Sequence, residues 1–202
     1  MENTALLTDD EIVALCAADG RPWPIGLNTV ATNVEELAQA GIRGMRSLMV
    51  RRLAGGDAER SGVRPHEMIA RDVAAFLDAT ERIGVYLAPA SDHSALGGAS
   101  ITAARAGDEW VVDTATAAGV HALRKTTAED AAGAILELAE KAYTGDLFGD
   151  GTEGQQRVCV VQLDSAGRNV IAITTGSVTG HINGNTVEAW DPALIRAAFE
   201  QP

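Results

Sequence analysis

The spacing of apolar residues along this chain changes character near residue 82. Before it the pattern is dominated by a helical period of 3.6; after it short alternating runs take over, broken by two further helical stretches. Thr8-Asp-Asp-Glu11 is a capping box: the Thr8 hydroxyl can accept from the Glu11 N–H while the Glu11 carboxylate accepts from the Thr8 N–H. Ile12, Leu15 and Cys16 follow at helical spacing, and Asp19-Gly20 closes that first helix. Arg21-Pro-Trp-Pro24 cannot be helical, because each proline pushes the residue before it into an extended conformation; a short strand over 25–30 is expected next. A second capping box, Thr32-x-x-Glu35, opens a short helix that should stop at Gly41. The run 46–53 is ambiguous, and its Gly-rich flanks favour a strand over 47–53. Residues 55–62 then read as a loop. Pro65 suits the first position of a helix over 65–80, whose buried stripe is Met68, Ile69, Val73, Phe76 and Leu77.

Four strands are predicted over 83–87, 100–104, 109–113 and 119–123, with Ala106-Gly107-Asp108 as the hairpin turn between the second and third. A helix over 128–143 follows, burying Ile135, Leu136, Leu138 and Ala139. After a Gly/Asp-rich linker over 144–154 the same order returns. Strands are expected over 158–163, 169–174, 177–182 and 186–190, and Asp191-Pro192 starts a last helix carrying Ile195 and Phe199. The chain therefore holds two successive ββββα units, alike in pattern and not residue by residue. Grouped strands point to an α+β fold: antiparallel sheet with helices on one side. One domain over 1–202 is expected, with halves of about 1–143 and 155–202 that could be related by a quasi-two-fold.

Charge narrows the partners. The 202 residues carry 16 Lys+Arg against 28 Asp+Glu, a formal net charge of −12, which argues against nucleic acid and anionic membranes, since both need a cationic face. The 46% apolar content rules out wholesale disorder. Two isolated cysteines, Cys16 and Cys159, cannot make a disulfide framework or a cysteine zinc site and fit a reducing cytosol. The start lacks a basic segment followed by a long apolar one, and no apolar run approaches the ~20 residues that span a bilayer, so a soluble cytoplasmic protein is expected.

Candidate chemistry is sparse. Ser91-Asp92-His93-Ser94 gathers the residue types of a catalytic triad in one loop, but triad members come from separated elements, so a polar loop is the better reading. Gly176-Ser-Val-Thr-Gly180 has its serine in the wrong place for a nucleophile elbow. His66, His93, His121 and His181 are scattered; His121 and His181 could share a metal only if their strands met. Asp146, Asp150 and Glu153 miss the spacing of a calcium loop. Neither a phosphate-binding loop nor a dinucleotide fingerprint is present, so no cofactor and no metal are expected. The local exception to the acidity is a run of arginines, Arg43, Arg46, Arg51, Arg52, Arg60 and Arg64. If 47–53 is a strand, Arg46 and Arg52 share one face and Arg51 takes the other. Arg43, Arg46, Arg51 and Arg52 are the candidate partner-binding residues, against internal ion pairing as the plainer alternative.

The order of elements resembles the EspG family, cytosolic chaperones of actinobacterial type VII (ESX) secretion. The residues that carry the resemblance are the helix start Leu7-Thr-Asp-Asp-Glu11, the helix ending Leu37-Ala-Gln-Ala-Gly-Ile42, the helix over 65–80 leading into a strand, the hairpin Ala103-Ala-Arg-Ala-Gly-Asp-Glu-Trp-Val-Val112, and the helix over 127–143. It covers most of residues 7–143, and the 14 arginines against two lysines suit an actinobacterial source. The resemblance implies a quasi-two-fold α+β fold and a non-catalytic role: holding a PE–PPE-type secretion substrate before export. A protein-binding adaptor or chaperone is the expected function. The alternative is a small-ligand sensor or hydrolase-like enzyme with a histidine-containing pocket.

Overall fold

Strand β1 (Ala5–Thr8) turns without a linker into helix α1 (Asp9–Asp19), because Thr8 is both the end of the strand and the cap of the helix. The computed structural model describes residues 4–57, 62–89, 99–144, 157–165, 168–173, 181–182, 185–189 and 191–200. The expected capping box is present: the Glu11 N–H donates to Thr8 Oγ1 at 3.3 Å and the Thr8 N–H to Glu11 Oε2 at 2.9 Å. Gly20 ends α1 in the left-handed region, with φ +85°, and its N–H reaches the Cys16 carbonyl.

The next stretch departs from the sequence reading. Residues 25–30 form no strand. Side chains fasten the stretch in place of a ladder: the Asn28 side-chain Nδ2 donates to the Thr116 carbonyl at 2.9 Å, and Asp9 Oδ2 accepts from the Thr29 N–H at 2.6 Å. Helix α2 (Val34–Val50) is capped by Asn33, whose Oδ1 accepts from the Glu36 N–H, and not by Thr32. It runs straight through Gly41 and takes in most of the segment 47–53 that the glycines had marked as a strand. Gly44 explains the error. A Cβ built there would sit 1.8 Å from the Asp10 carbonyl oxygen of α1, so this glycine is where two helix backbones touch. Residues expected as loop instead contribute a small hairpin, β2 (Ala54–Asp57) with β3 (Gly62–Pro65). Pro65 therefore belongs to β3, and helix α3 (Glu67–Asp78) starts after His66, which holds the N-cap position without a side-chain capping hydrogen bond.

From there the two units follow the expected order. The first comprises β4 (Glu81–Pro89), β5 (Ser100–Ala106), β6 (Glu109–Ala115), β7 (Val120–Thr126) and α4 (Ala128–Thr144). The second comprises β8 (Arg157–Ser165), β9 (Arg168–Ile173), β10 (His181–Ile182), β11 (Asn185–Ala189) and α5 (Pro192–Glu200). Gly107, at φ +64°, supplies the turn between β5 and β6, and Asp191 Oδ1 accepts the Ala193 N–H at the start of α5. The linker residues 145–156 lie outside the described residues.

Among the described residues one nine-stranded sheet runs through both units, in the order β1-β7-β6-β5-β4-β8-β9-β11-β10. The units meet through their first strands: β4 and β8 pair antiparallel from Glu81↔Ser165 to Pro89↔Arg157, so a local two-fold relates these two strands. Beyond the seam they differ. The first unit continues as an antiparallel meander, while in the second β11 lies parallel to β9.

The fold is α+β, but the helices occupy both faces of the sheet, not one side. Ala104, Val111 and Leu123 pack against Leu15 and Cys16 of α1 and Ile69, Val73 and Phe76 of α3. Ala103, Trp110 and Val112 pack against Ile135 and Ala139 of α4 and Ile195 of α5. The reason is written in β5 and β6, where neighbouring residues (Ala103 with Ala104, Trp110-Val111-Val112) are all buried. A strand without alternation must be covered on both sides. Helix α2 forms an outer layer on α1. Among the described residues no helix is long and apolar enough to cross a membrane.

Candidate functional site

Three ionisable side chains meet beneath the first turn of α1. His121 points from β7 to the face that carries Leu123, and Asp113 from β6 to the face that carries Val111, the side covered by α1 and α3. Asp9, the first residue of α1, closes the group from above. His121 Nδ1 lies 2.8 Å from Asp113 Oδ2, and Nε2 lies 2.6 Å from Asp9 Oδ1; all three side chains are 0% exposed. Asp9 Oδ2 accepts from the Thr29 N–H at 2.6 Å and the Thr29 hydroxyl at 2.8 Å. The carboxylate also sits at a helix N-terminus, where the dipole favours negative charge. Gly119 makes room for it, because a Cβ there would lie 2.5 Å from Asp9 Oδ2. Trp23 stacks on Phe76 at 4.5 Å and presents its ring edge-on to His121 at 6.1 Å.

The electrostatics follow from this enclosure. Burial works against the charged imidazole, but hydrogen bonds to Asp113 and Asp9 outweigh it and raise the His121 pKa to about 9. Burial likewise pushes Asp9 upward, yet the bonds from His121 and Thr29 win and hold it below the ordinary carboxylate range. His121 is therefore an imidazolium at neutral pH, donating from both ring nitrogens. Neither nitrogen is free to take a proton from a ligand, and no solvent reaches the ring. The arrangement is a clamp that ties α1 to β6 and β7.

A third buried carboxylate, Glu11, sits beside the cap. Its Oε1 accepts from the Ser47 hydroxyl at 2.7 Å, and its Oε2 from Arg51 Nη1 at 2.6 Å and from the Thr8 N–H. Arg51 Nη2 continues to the Leu6 carbonyl at 2.7 Å, joining α2, α1 and β1. Arg43 forks onto Asp10 at 2.8 and 2.9 Å and also reaches Glu36 at 2.7 Å. Two of the four candidate arginines are thus engaged within the fold. Arg46 and Arg52 are exposed and pair with no described residue. The expected sharing of a strand face does not arise, because Arg46 lies inside α2 and Arg52 follows it with φ +58°. Arg64 lies on β3, and Arg60 lies outside the described residues.

Arg46 stands at the rim of an open cleft of about 730 Å³ between α1 and α2. Its walls include Ala14, Ala17 and Ala18 from α1 and Ala38, Ile42 and Met45 from α2. Ile42 is 48% exposed, and along the same helix Val34, Met49 and Val50 are exposed too.

The other sequence candidates are not drawn together. His66 sits at the start of α3 and is exposed. His121 and His181 lie on β7 and β10 with six strands between them, on the order of 30 Å apart, so they share no metal. The loop Ser91–Ser94, the segment Gly176–Gly180 and the acidic residues Asp146, Asp150 and Glu153 lie outside the described residues. Among the described residues no cluster of three or more His, Cys, Asp or Glu is arranged to hold a metal ion. Sequence reasoning missed the Asp9–His121–Asp113 group. Its visible signal was a charged residue, Asp113, interrupting the apolar run Trp110-Val-Val-Asp113. No family model and no curated protein matches this chain.

Proposed function

We propose that this chain is a non-catalytic cytosolic adaptor or chaperone of the EspG type, and that it holds a PE–PPE-type secretion substrate through the face formed by α1 and α2. The observation that carries the reading is the open apolar cleft between those helices, with Ile42 and Met45 on its wall and Arg46 at its rim. Exposed large apolar residues grouped on one helix face are costly to leave in water and mark a protein contact. The polar chemistry, by contrast, is turned inward: His121, Asp9, Asp113 and Glu11 are all fully buried. The closure of His121 favours binding over a hydrolase-like alternative built on that histidine, which would have to face a pocket. The resemblance of the element order to the EspG family, over most of residues 7–143, is what suggests the substrate class.

The test is co-expression with a PE–PPE-type pair from an actinobacterial host. The pair is expected to co-purify with the unaltered chain and to be lost with Ile42→Asp, while circular dichroism stays unchanged. Failure of any such pair to co-purify, or its full retention by Ile42→Asp, would remove the proposal.

A further inference from the structure

The outward side of α2 carries a charge pattern that is complementary to itself. With successive residues 100° apart, Val34, Ala38, Ile42, Met45 and Met49 fall within an arc of about 80°. Val34 is 85% exposed, Ile42 48% and Met49 47%; Ala38 is exposed and Met45 half-buried. Glu35 and Arg46 lie along the same edge of this stripe, within about 20° of each other and roughly 16 Å apart along the axis. Both are exposed, and neither makes an ion pair with a described residue. The neighbouring Glu36 and Arg43 are, by contrast, engaged with each other.

We infer that α2 of a second copy of this chain packs antiparallel on this face, about a two-fold axis near residues 41 and 42. The adaptor reading concerns the same face, and the inference rests on it only in taking the face to be a protein contact. In an antiparallel pair of helices, the same edge of both copies lies on the same side of the interface. Glu35 of each copy then comes alongside Arg46 of the other, and both ion pairs form at once. A parallel pair would place this edge of the two copies on opposite sides of the interface, with Glu35 level with Glu35, and would make neither ion pair. The apolar stripe is compatible with the antiparallel register: Ala38 falls opposite Met45, Val34 opposite Met49, and Gly41 opposite Ile42, small against large. The contact is one of the isologous kind that closes as a dimer.

Two features set its strength. A helix of 17 residues is ~25 Å long and buries an area at the low end of specific interfaces, and the −12 charge of each copy opposes association. A monomer–dimer equilibrium with Kd on the order of 10 μM at physiological salt is expected, in the range of transient contacts. The dimer covers the cleft wall, so a substrate that uses this face must displace the second copy.

The experiment is sedimentation equilibrium of the full chain across a hundredfold range of concentration. The mass is expected to rise from 21.0 kDa towards twice that value. Ile42→Asp, Glu35→Arg and Arg46→Glu should each weaken the dimer at least tenfold. An equimolar mixture of Glu35→Arg and Arg46→Glu should recover it, because each copy then supplies what the other lacks. A monomer at every concentration, or no recovery in the mixture, overturns the inference. A chain that stays monomeric yet retains a PE–PPE-type pair through Ile42 would sink self-association alone. A dimer that behaves as described while Ile42→Asp keeps the pair would sink the adaptor reading alone.

Discussion

His121 on β7 and Asp9 at the head of α1 stand 112 residues apart in the chain and 2.6 Å apart in the fold. Because Asp113 holds the other ring nitrogen, the imidazolium is shared between two buried carboxylates. Stability should therefore depend on pH in a defined way. The His121 pKa is raised from 6.5 to about 9, so its contribution is full below pH ~6.5 and is lost as pH rises through ~9. Asp9 is held below its ordinary 3.8, so its contribution is present above that value and is lost as pH falls below it. The unfolding free energy should be greatest between pH ~4 and ~6.5 and fall towards pH 9 by on the order of 3 kcal/mol, with the melting temperature following it down. Calorimetry across that range checks it, and a His121→Gln variant should lose most of the alkaline decline. An equal decline in that variant would place the titrating group elsewhere.

Removing His121 without replacing its hydrogen bonds should be harsher. His121→Ala leaves Asp9 and Asp113 facing each other in a closed site, and stripping the partner from buried charge costs about 3–5 kcal/mol. Urea denaturation at pH 6 should show a loss of that size. A loss under 1 kcal/mol would mean that solvent reaches the site.

Gly44 should tolerate no side chain. The Cβ of Gly44→Ala would meet the Asp10 carbonyl at 1.8 Å, forcing α1 and α2 apart at their closest point, with an expected cost of about 3 kcal/mol. Gly41 is the control on the same helix, since its Cβ would meet only a Val13 methyl at an ordinary 3.8 Å. Gly41→Ala should be neutral or slightly stabilising, because alanine is the better helix former. Similar losses in both variants would show that helix propensity, not contact, governs the site.

The arginines should divide by what they hold. Arg51→Ala strands the fully buried Glu11 carboxylate with only Ser47 and the Thr8 N–H, and should cost about 2 kcal/mol. Arg46→Ala removes no contact within the fold and should change stability by less than ~0.5 kcal/mol. Thermal unfolding of the two variants separates them, and equal effects would contradict the assignment.

Cys16 should be inert in the folded chain. Burial, with the charge of Asp19 adding to it and Arg21 opposing it, raises its thiol pKa to about 12. In a Cys159→Ser background, a disulfide reagent at pH 8 should modify Cys16 only as fast as the protein opens. Rapid stoichiometric labelling under native conditions would show that α1 is not packed as described.

The features legible in the sequence were those fixed by neighbours a few residues apart. The Thr8–Glu11 box, the Asp191-Pro192 helix start and the two ββββα units each depend on local hydrogen bonds or alternation. The glycines of α2 misled for a physical reason. Gly41 and Gly44 look like helix breakers when only intrinsic propensity is weighed, but Gly44 is selected by contact with another helix, which no local pattern displays. Helices on both faces were implicit in Ala103-Ala104 and Trp110-Val111-Val112, whose lack of alternation says that both sides are covered. The buried ionic clamp was out of reach because Asp9, Asp113 and His121 come from three elements whose meeting depends on the sheet order. The same holds for Arg51, whose pairing with Glu11 depends on α2 being one long helix.

The seam between β4 and β8 also sets a hazard in time. Until β8 is made, β4 is the bare edge of the sheet β1-β7-β6-β5-β4, with Ile83, Val85 and Tyr86 beside unpaired backbone groups. Residue 165, which completes the ladder, follows residue 126, the end of β7, by 39 positions, and at synthesis rates of about 5–20 residues per second the edge of that sheet stays open for roughly 2–8 s. Glu81 and Arg82 at one end are the charges that can discourage pairing with a neighbouring nascent chain. On a crowded polysome, the strand that later joins the two units is the first place where chains of the same kind can adhere.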